Sequence, residues 1–308
     1  MKFVIVGTGG TGGVTGAYLA EAGNDVTFIA RGKHLSAIRE NGLTLRSAHR
    51  GELHIQPARA CTMEEYRGTP DVIFVCVKYY GLPAATDFVR RAAGPDTLVI
   101  PILNVFGTGA VMQKELPGIT VLDGCIYVFA SIAAPGVIDQ PQSIPRVIYG
   151  FRPDQEDRHL EHRAKELETV MQAAEIRCHY SENICRDALQ KFALVSPMGA
   201  AGLYLNAKSD DFQHPGETRD LFIGLVREVA ALGQAMGIVF QKDLVEVGLK
   251  AVDSFAAGLT TSMQRDVERG GPSEFRGLVD RIVDLGKEYN IPVPLYTKIS
   301  EWGKAKGL

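Results

Sequence analysis

The chain has 308 residues, 45% hydrophobic and 22% charged, enough for a substantial core and comfortable for two domains. Its net charge of −3 gives no reason to expect a nucleic acid or an anionic membrane surface as partner. Five scattered cysteines with no CxxC pair argue against a disulfide framework and for reduced thiols in a cytoplasmic setting.

The first half alternates strands and helices. Phe3–Val6 reads as a strand that breaks into glycines too soon to be the apolar core of a signal peptide. Residues Gly10–Ala22 have helical spacing, Asp25–Ala30 reads as a second strand, and Asp71–Val77 (DVIFVCV) is a continuous apolar run. Such a run is expected of a strand covered on both faces of a parallel sheet. Pro83–Ala93 reads as a helix, and Thr97–Leu103, Thr120–Tyr127 and Arg146–Tyr149 as further strands. Asp157–Ala174 is a charged helix and Arg177–Tyr180 a last strand. Beyond about Ser181 the pattern is helical, with long apolar stripes over Glu217–Met236, Lys242–Leu259 and Glu274–Tyr289 and a break at Asn290-Ile-Pro-Val-Pro. The pattern predicts an open α/β sheet over residues 1–181 and a helical domain over 182–308. No stretch approaches ~18 uninterrupted apolar residues, so no membrane span is expected. His159 and His162 lie on a charged helix and read as solvated surface, which leaves no metal site in view.

Gly7-Thr8-Gly9-Gly10-Thr11-Gly12 matches G-x-G-x-x-G between a strand and a helix, the setting that motif requires for dinucleotide binding. Gly7 permits the tight turn, Gly9 lets a pyrophosphate approach the backbone, and Gly12 lets the helix pack on the strand. The helix N-terminus then offers N–H groups to phosphate. At the end of the second strand an NAD site usually carries Asp or Glu, which binds the ribose hydroxyl. Here the chain reads Ala30-Arg31-Gly32-Lys33. A guanidinium suits a 2′-phosphate, with Lys33 close enough to assist, so the expected cofactor is NADP(H).

Lys78 and Asn104 follow two neighbouring apolar strands, at the carboxyl ends where open α/β sheets bind ligands. Lys191 lies in RDALQKFALV among apolar residues. It either snorkels to solvent or faces a polar cleft and moves protons there. Ser273 is a candidate cap for the helix that follows, with Glu274 in its first turn.

Together these residues resemble the ketopantoate reductase (2-dehydropantoate 2-reductase) family. The resemblance runs along essentially the whole chain: GTGGTG, Arg31, VCVK ending in Lys78, ILNVFGTG with Asn104, RDALQKF with Lys191, and TSMQRD…SE with Ser262 and Glu274. It implies a Rossmann-type domain followed by a helical domain of the 6-phosphogluconate dehydrogenase type, with the active site between them. It also implies that NADPH reduces a 2-keto acid to a 2-hydroxy acid, most directly ketopantoate to pantoate in pantothenate biosynthesis. Lys191 is then the general acid, and Glu274 orients it or holds substrate. Asn104 positions nicotinamide and substrate, Lys78 contacts that region, and Ser262 binds the substrate carboxylate. The family contains monomers and dimers, so a homodimer is possible.

The chain departs from the family pattern at Val195 and Gly199, where asparagines usually stand, and at Gly81. The expectation is a substrate wall that is more apolar and roomier, suited to a different keto acid. Pro197 is expected to disturb the Lys191 helix. The competing readings are another hydroxyacid or opine-type dehydrogenase and a non-catalytic NADP(H)-binding regulator. Residues 43–60 carry basic side chains and two histidines with no assignable chemistry.

Overall fold

The computed structural model describes residues 1–141 and 144–308. They form two compact units: Met1–Leu103 with Gly107–Ile184, and Asn104–Phe106 with Cys185–Leu308.

The first unit opens β1 (Lys2–Val6), α1 (Gly10–Glu21), β2 (Asp25–Ile29), α2 (Gly32–Asn41), β3 (Leu43–Ser47), β4 (Gly51–Ile55), β5 (Arg59–Cys61) and β6 (Val72–Val75). It continues through α3 (Leu82–Ala92), β7 (Leu98–Pro101), α4 (Thr108–Glu115), β8 (Thr120–Val121), β9 (Asp123–Tyr127), β10 (Ser131–Ala134) and β11 (Val137–Gln140). It closes with β12 (Arg146–Gly150), α5 (Glu161–Ala173) and β13 (Arg177–Tyr180). Six parallel strands are ordered β5-β2-β1-β6-β7-β8. Chain direction across the sheet reverses between β1 and β6, the switch point at which such sheets bind ligands.

The period of two along the strands sorts the core. Phe3, Ile5, Phe74 and Ile100 pack on one face with Val14, Ala17 and Tyr18 of α1. Val4, Val6, Ile73, Val75 and Val99 pack on the other with Ala85, Phe88 and Val89 of α3. Both faces are therefore covered, as the continuous apolar runs required.

One expectation in this unit needs correction. The strand anticipated over Thr120–Tyr127 is two strands: β8 ends the large sheet, while β9 joins a separate sheet of order β13-β12-β9. The break has a local cause. The Asp123 carboxylate accepts the Gly109 N–H at 2.7 Å, and a Cβ on Gly124 would lie 2.9 Å from Ile100 Cγ2. The chain thus turns at Asp123 and crosses β7 where only glycine fits. Residues 43–60, for which no chemistry is assigned, hold the antiparallel hairpin β3–β4 within a sheet of order β10-β11-β3-β4.

The second unit contains α6 (Ile184–Leu205), α7 (Glu217–Ala235), α8 (Leu244–Val252), α9 (Ser262–Glu268), α10 (Arg281–Glu288) and α11 (Pro294–Ala305). α6 runs through Pro197 without a break, contrary to expectation. Its neighbour Ser196 holds it there: the hydroxyl lies 2.5 Å from the Leu278 carbonyl and 2.6 Å from the Tyr296 hydroxyl. Tertiary bonds to one turn of α6 offset the one bond that proline removes. The helix expected over Lys242–Leu259 stops at Val252. Asp243 caps its start by accepting from Val245 and Glu246 N–H. Past its end, the Gln213 side chain donates to the carbonyls of Val252 and Phe255, which removes the need for another turn. Ahead of α10, Arg276–Asp280 is a π-helical turn. Among the described residues no helix is long and apolar enough to cross a membrane.

Candidate active site

In the first unit the glycine loop has the geometry of a phosphate cradle. Gly7 has φ +97°, which side chains rarely adopt. A Cβ on Gly12 would stand 2.2 Å from the Gly7 carbonyl oxygen, so glycine is obligatory for α1 to seat on β1. Gly9, by contrast, has nothing within 4 Å of its would-be Cβ. The backbone is bare on that side, and α1 begins there with no capping side chain on its N–H groups. Such a surface fits a dinucleotide pyrophosphate.

Thr8, a candidate ligand from sequence, is turned inward: it is 3% exposed and its hydroxyl donates to the Ile29 carbonyl at 3.0 Å. It locks the loop to β2. Thr11 is half-buried in the first turn of α1, where its carbonyl accepts from Thr15. Gly10 reveals a neighbour that sequence did not: a Cβ there would lie 2.4 Å from the Ala130 carbonyl, so the segment leading into β10 runs against the loop.

Arg31 caps the start of α2 with no side-chain hydrogen bond, Gly32 follows at φ +56°, and both Arg31 and Lys33 are exposed. Two cations thus flank a helix N-terminus whose first amides have no side-chain acceptor at the cap, which suits an anion. His34, missed from sequence, ties this turn down: its Nδ1 accepts the Gly136 N–H at 2.9 Å. Burial pushes the His34 imidazole below its ordinary value, partly opposed by the Thr8 backbone.

Lys78 stands three residues past the end of β6 rather than directly on it, half-buried at the start of a short turn, where its carbonyl accepts from Gly81 N–H. Cys76, two residues earlier, has its Cβ 3.1 Å from the would-be Cβ of Gly12. The Lys78 segment therefore leaves the sheet beside the glycine loop.

In the second unit Lys191 is only 6% exposed, and its Nζ donates to Asn104 Oδ1 at 2.6 Å. The snorkelling alternative is thereby excluded for this side chain. Asn104 belongs to a short segment anchored on α6 by Phe106, whose ring centroid lies 6.2 Å from that of Phe192, the residue after Lys191. With its oxygen engaged, the Asn104 amide presents its two N–H donors. Glu274 is 3% exposed, one turn before Leu278, and Leu278 packs on α6 at Ser196 and Gly199. Ser273 makes only a weak cap, accepting from Phe275 N–H at 3.4 Å. Ser262 is the first residue of α9, half-buried; the next residue, Met263, reaches α6 with its methyl 3.2 Å from the would-be Cβ of Gly199. Lys191, Asn104, Glu274 and Ser262 thus all belong to α6 or to segments packed on it.

The expectation of a roomier wall at Gly199 fails, because Met263 and Leu278 fill the space. Val195 and Gly199 themselves carry no hydrogen-bonding side chain. Among the described residues, no cluster of three or more His, Cys, Asp or Glu is placed to hold a metal. An open groove lined by His49, Arg146, Glu175 and His179, among others, contains none of the candidate residues.

The chain matches the family model described as ketopantoate reductase PanE/ApbA over residues 3–152, and the model of that family's C-terminal domain over residues 183–306. It is 27% identical to a 2-dehydropantoate 2-reductase of Pyrococcus abyssi, over 100% of this chain and 97% of that protein. It is 23% identical to the uncharacterized oxidoreductase YkpB of Bacillus subtilis, over 96% and 95%. Among solved structures, a 2-dehydropantoate 2-reductase from Methylococcus capsulatus superposes with a TM-score of 0.87 at 23% identity, over 100% of this chain and 97% of the other. A D-mandelate dehydrogenase in complex with NADH and anilino(oxo)acetate superposes with a TM-score of 0.88 at 20% identity, over 99% and 98%. Those two likenesses speak for the fold, while the family models span both units. The protein belongs to the ketopantoate reductase family, as a dinucleotide-binding oxidoreductase with an α/β domain followed by a helical one.

Proposed function

We propose that this protein reduces a 2-keto acid to the 2-hydroxy acid with NADPH, ketopantoate being the reference substrate of its family. The observation that carries the reading is the buried Lys191 ammonium held 2.6 Å from Asn104, in a chain that also has a complete glycine loop.

Gly7, Gly9, Gly10 and Gly12, with the α1 N-terminus, would hold the pyrophosphate, and Arg31 with Lys33 the 2′-phosphate. NADPH, when bound, supplies the hydride to the substrate carbonyl carbon. The chain's own residues deal with the charge this creates. Negative charge grows on the carbonyl oxygen, and the Lys191 ammonium stabilises it and then donates a proton to it. Asn104 fixes the lysine's position through Oδ1 and offers N–H donors to the carbonyl or carboxylate of the substrate. Ser262 would offer a hydroxyl to the carboxylate, and Glu274, buried one turn before Leu278, would supply negative charge to the site. Lys78 adds a cation beside the cofactor loop. A regulator that only senses NADPH needs no buried lysine and no buried glutamate in its helical unit, which is why catalysis is the preferred reading.

The decisive experiment compares NADPH and NADH oxidation over a panel of 2-keto acids, for the wild type and Lys191→Ala. The expected result is NADPH-dependent turnover that disappears in the variant while NADPH binding persists. Turnover surviving in Lys191→Ala would refute the mechanism.

A further inference from the structure

Resting on the reading just given, we infer that the substrate is a 2-keto acid with a hydrocarbon side chain and no hydroxyl, and that Val195 of α6 sets this preference. The determinant lies on the face of α6 that carries Lys191. Residues four and eight positions on share that face, about 6 and 12 Å along the axis. They are Val195 and Gly199. Side chains on a helix lean toward its N-terminus, so the Val195 isopropyl group covers the turn that bears Lys191. Val195 is half-buried, as are Leu194 and Met198 on either side of it.

The remainder of the wall is equally dry. Gly199 has no side chain, and the space beyond it is taken by Met263 Cε and Leu278 Cδ1. The hydroxyl in this stretch belongs to Ser196, which is fully buried and engaged with the Leu278 carbonyl and the Tyr296 hydroxyl. Met263 follows Ser262 directly, so the start of α9 sits on α6 two turns along from Lys191. A substrate whose carbonyl meets Lys191 and whose carboxylate meets Ser262 lies across Val195. Beyond Lys191, the half-buried Leu194, Val195 and Met198 of α6 offer it apolar groups and no hydrogen-bond donor. A substrate hydroxyl placed there would lose its water without gaining a partner.

The discriminating pair is ketopantoate and trimethylpyruvate, which is ketopantoate without its hydroxyl. The wild type should reduce trimethylpyruvate with a kcat/KM at least equal to that on ketopantoate. Val195→Asn should move the ratio toward ketopantoate by about ten-fold or more, the size expected when a buried hydroxyl gains a partner. Val195→Leu, which adds bulk but no donor, should lower both rates together without that shift. Folding of each variant is checked by its melting temperature and by NADPH fluorescence on binding. If the wild type prefers ketopantoate ten-fold or more, the inference is wrong while the reductase reading stands. If Val195→Asn folds, binds NADPH and leaves the ratio unchanged, Val195 is not the determinant. If neither keto acid, nor any other in the panel, is reduced with either nucleotide, the underlying reading fails as well.

Discussion

Lys191 and Asn104 are 87 positions apart in sequence and joined by a hydrogen bond of 2.6 Å. The lysine Nζ donates and the amide oxygen accepts, so the bond orients both side chains at once and leaves the amide nitrogen as the Asn104 group with donors to offer. Removing Asn104 should therefore misplace the lysine as well as delete a substrate contact. Asn104→Ala should lower kcat about ten- to a hundred-fold. Asn104→Gln should not restore it, because the longer side chain cannot keep the same geometry. A rise in KM alone, with kcat intact, would contradict this account.

Lys191→Ala should reduce kcat by about a hundred- to ten-thousand-fold, the range for loss of a positioned acid. NADPH affinity, measured by fluorescence titration, should change less than two- or three-fold.

The glycine loop offers a clean separation of folding from binding. Gly9→Ala meets nothing within 4 Å, so its melting temperature should match the wild type while dinucleotide binding is lost or severely weakened. Gly12→Ala puts a methyl 2.2 Å from the Gly7 carbonyl, so it should lower the melting temperature as well. Parallel melting and titration curves for the two variants test both statements.

Cofactor choice is predicted to follow Arg31. Arg31→Ala should raise the KM for NADPH by roughly ten- to a hundred-fold, equivalent to about 1.5–3 kcal/mol for hydrogen bonds to a charged group. It should leave the KM for NADH nearly unchanged. An equal effect on both nucleotides would place Arg31 outside the 2′-phosphate site.

His34 should make stability pH-dependent. Its Nδ1 accepts from the Gly136 N–H, so the neutral ring carries its proton on Nε2. Protonating Nδ1 destroys that bond. Burial lowers the folded-state value below the ordinary 6.5, so the unfolded chain takes up the proton first as pH falls. Stability from this group is then fully present above about pH 6.5 and is lost progressively below it, down to the folded value. Melting temperatures between pH 8 and 5 should show this decline, and His34→Gln should flatten it.

Much of the molecule was legible in the sequence for local reasons. The G-x-G-x-x-G pattern, the apolar runs of β1, β6 and β7, and the basic residues after β2 are each read within a few residues of the chain. The obligatory glycine at position 12 and the unobstructed backbone at Gly9 follow from that pattern directly. What failed was governed from a distance. The single strand expected over Thr120–Tyr127 splits because Asp123 binds the start of α4 and Gly124 crosses Ile100. α8 ends early because Gln213, some 40 residues upstream, takes its last carbonyl. α6 survives Pro197 because Ser196 is bonded to Leu278 and Tyr296. Local propensity carries no information about such partners.

The sequence by itself therefore determined the dinucleotide loop, its cationic neighbour and the helical character of the second half, since period and spacing are properties of short segments. Only the tertiary structure decided that Lys191 is buried against Asn104, that Thr8 faces inward, that His34 secures the turn behind Arg31, and that Met263 closes the gap left by Gly199. Those outcomes depend on which remote side chain fills a given space or satisfies a given polar atom. Close packing and hydrogen-bond pairing settle that after the chain has collapsed.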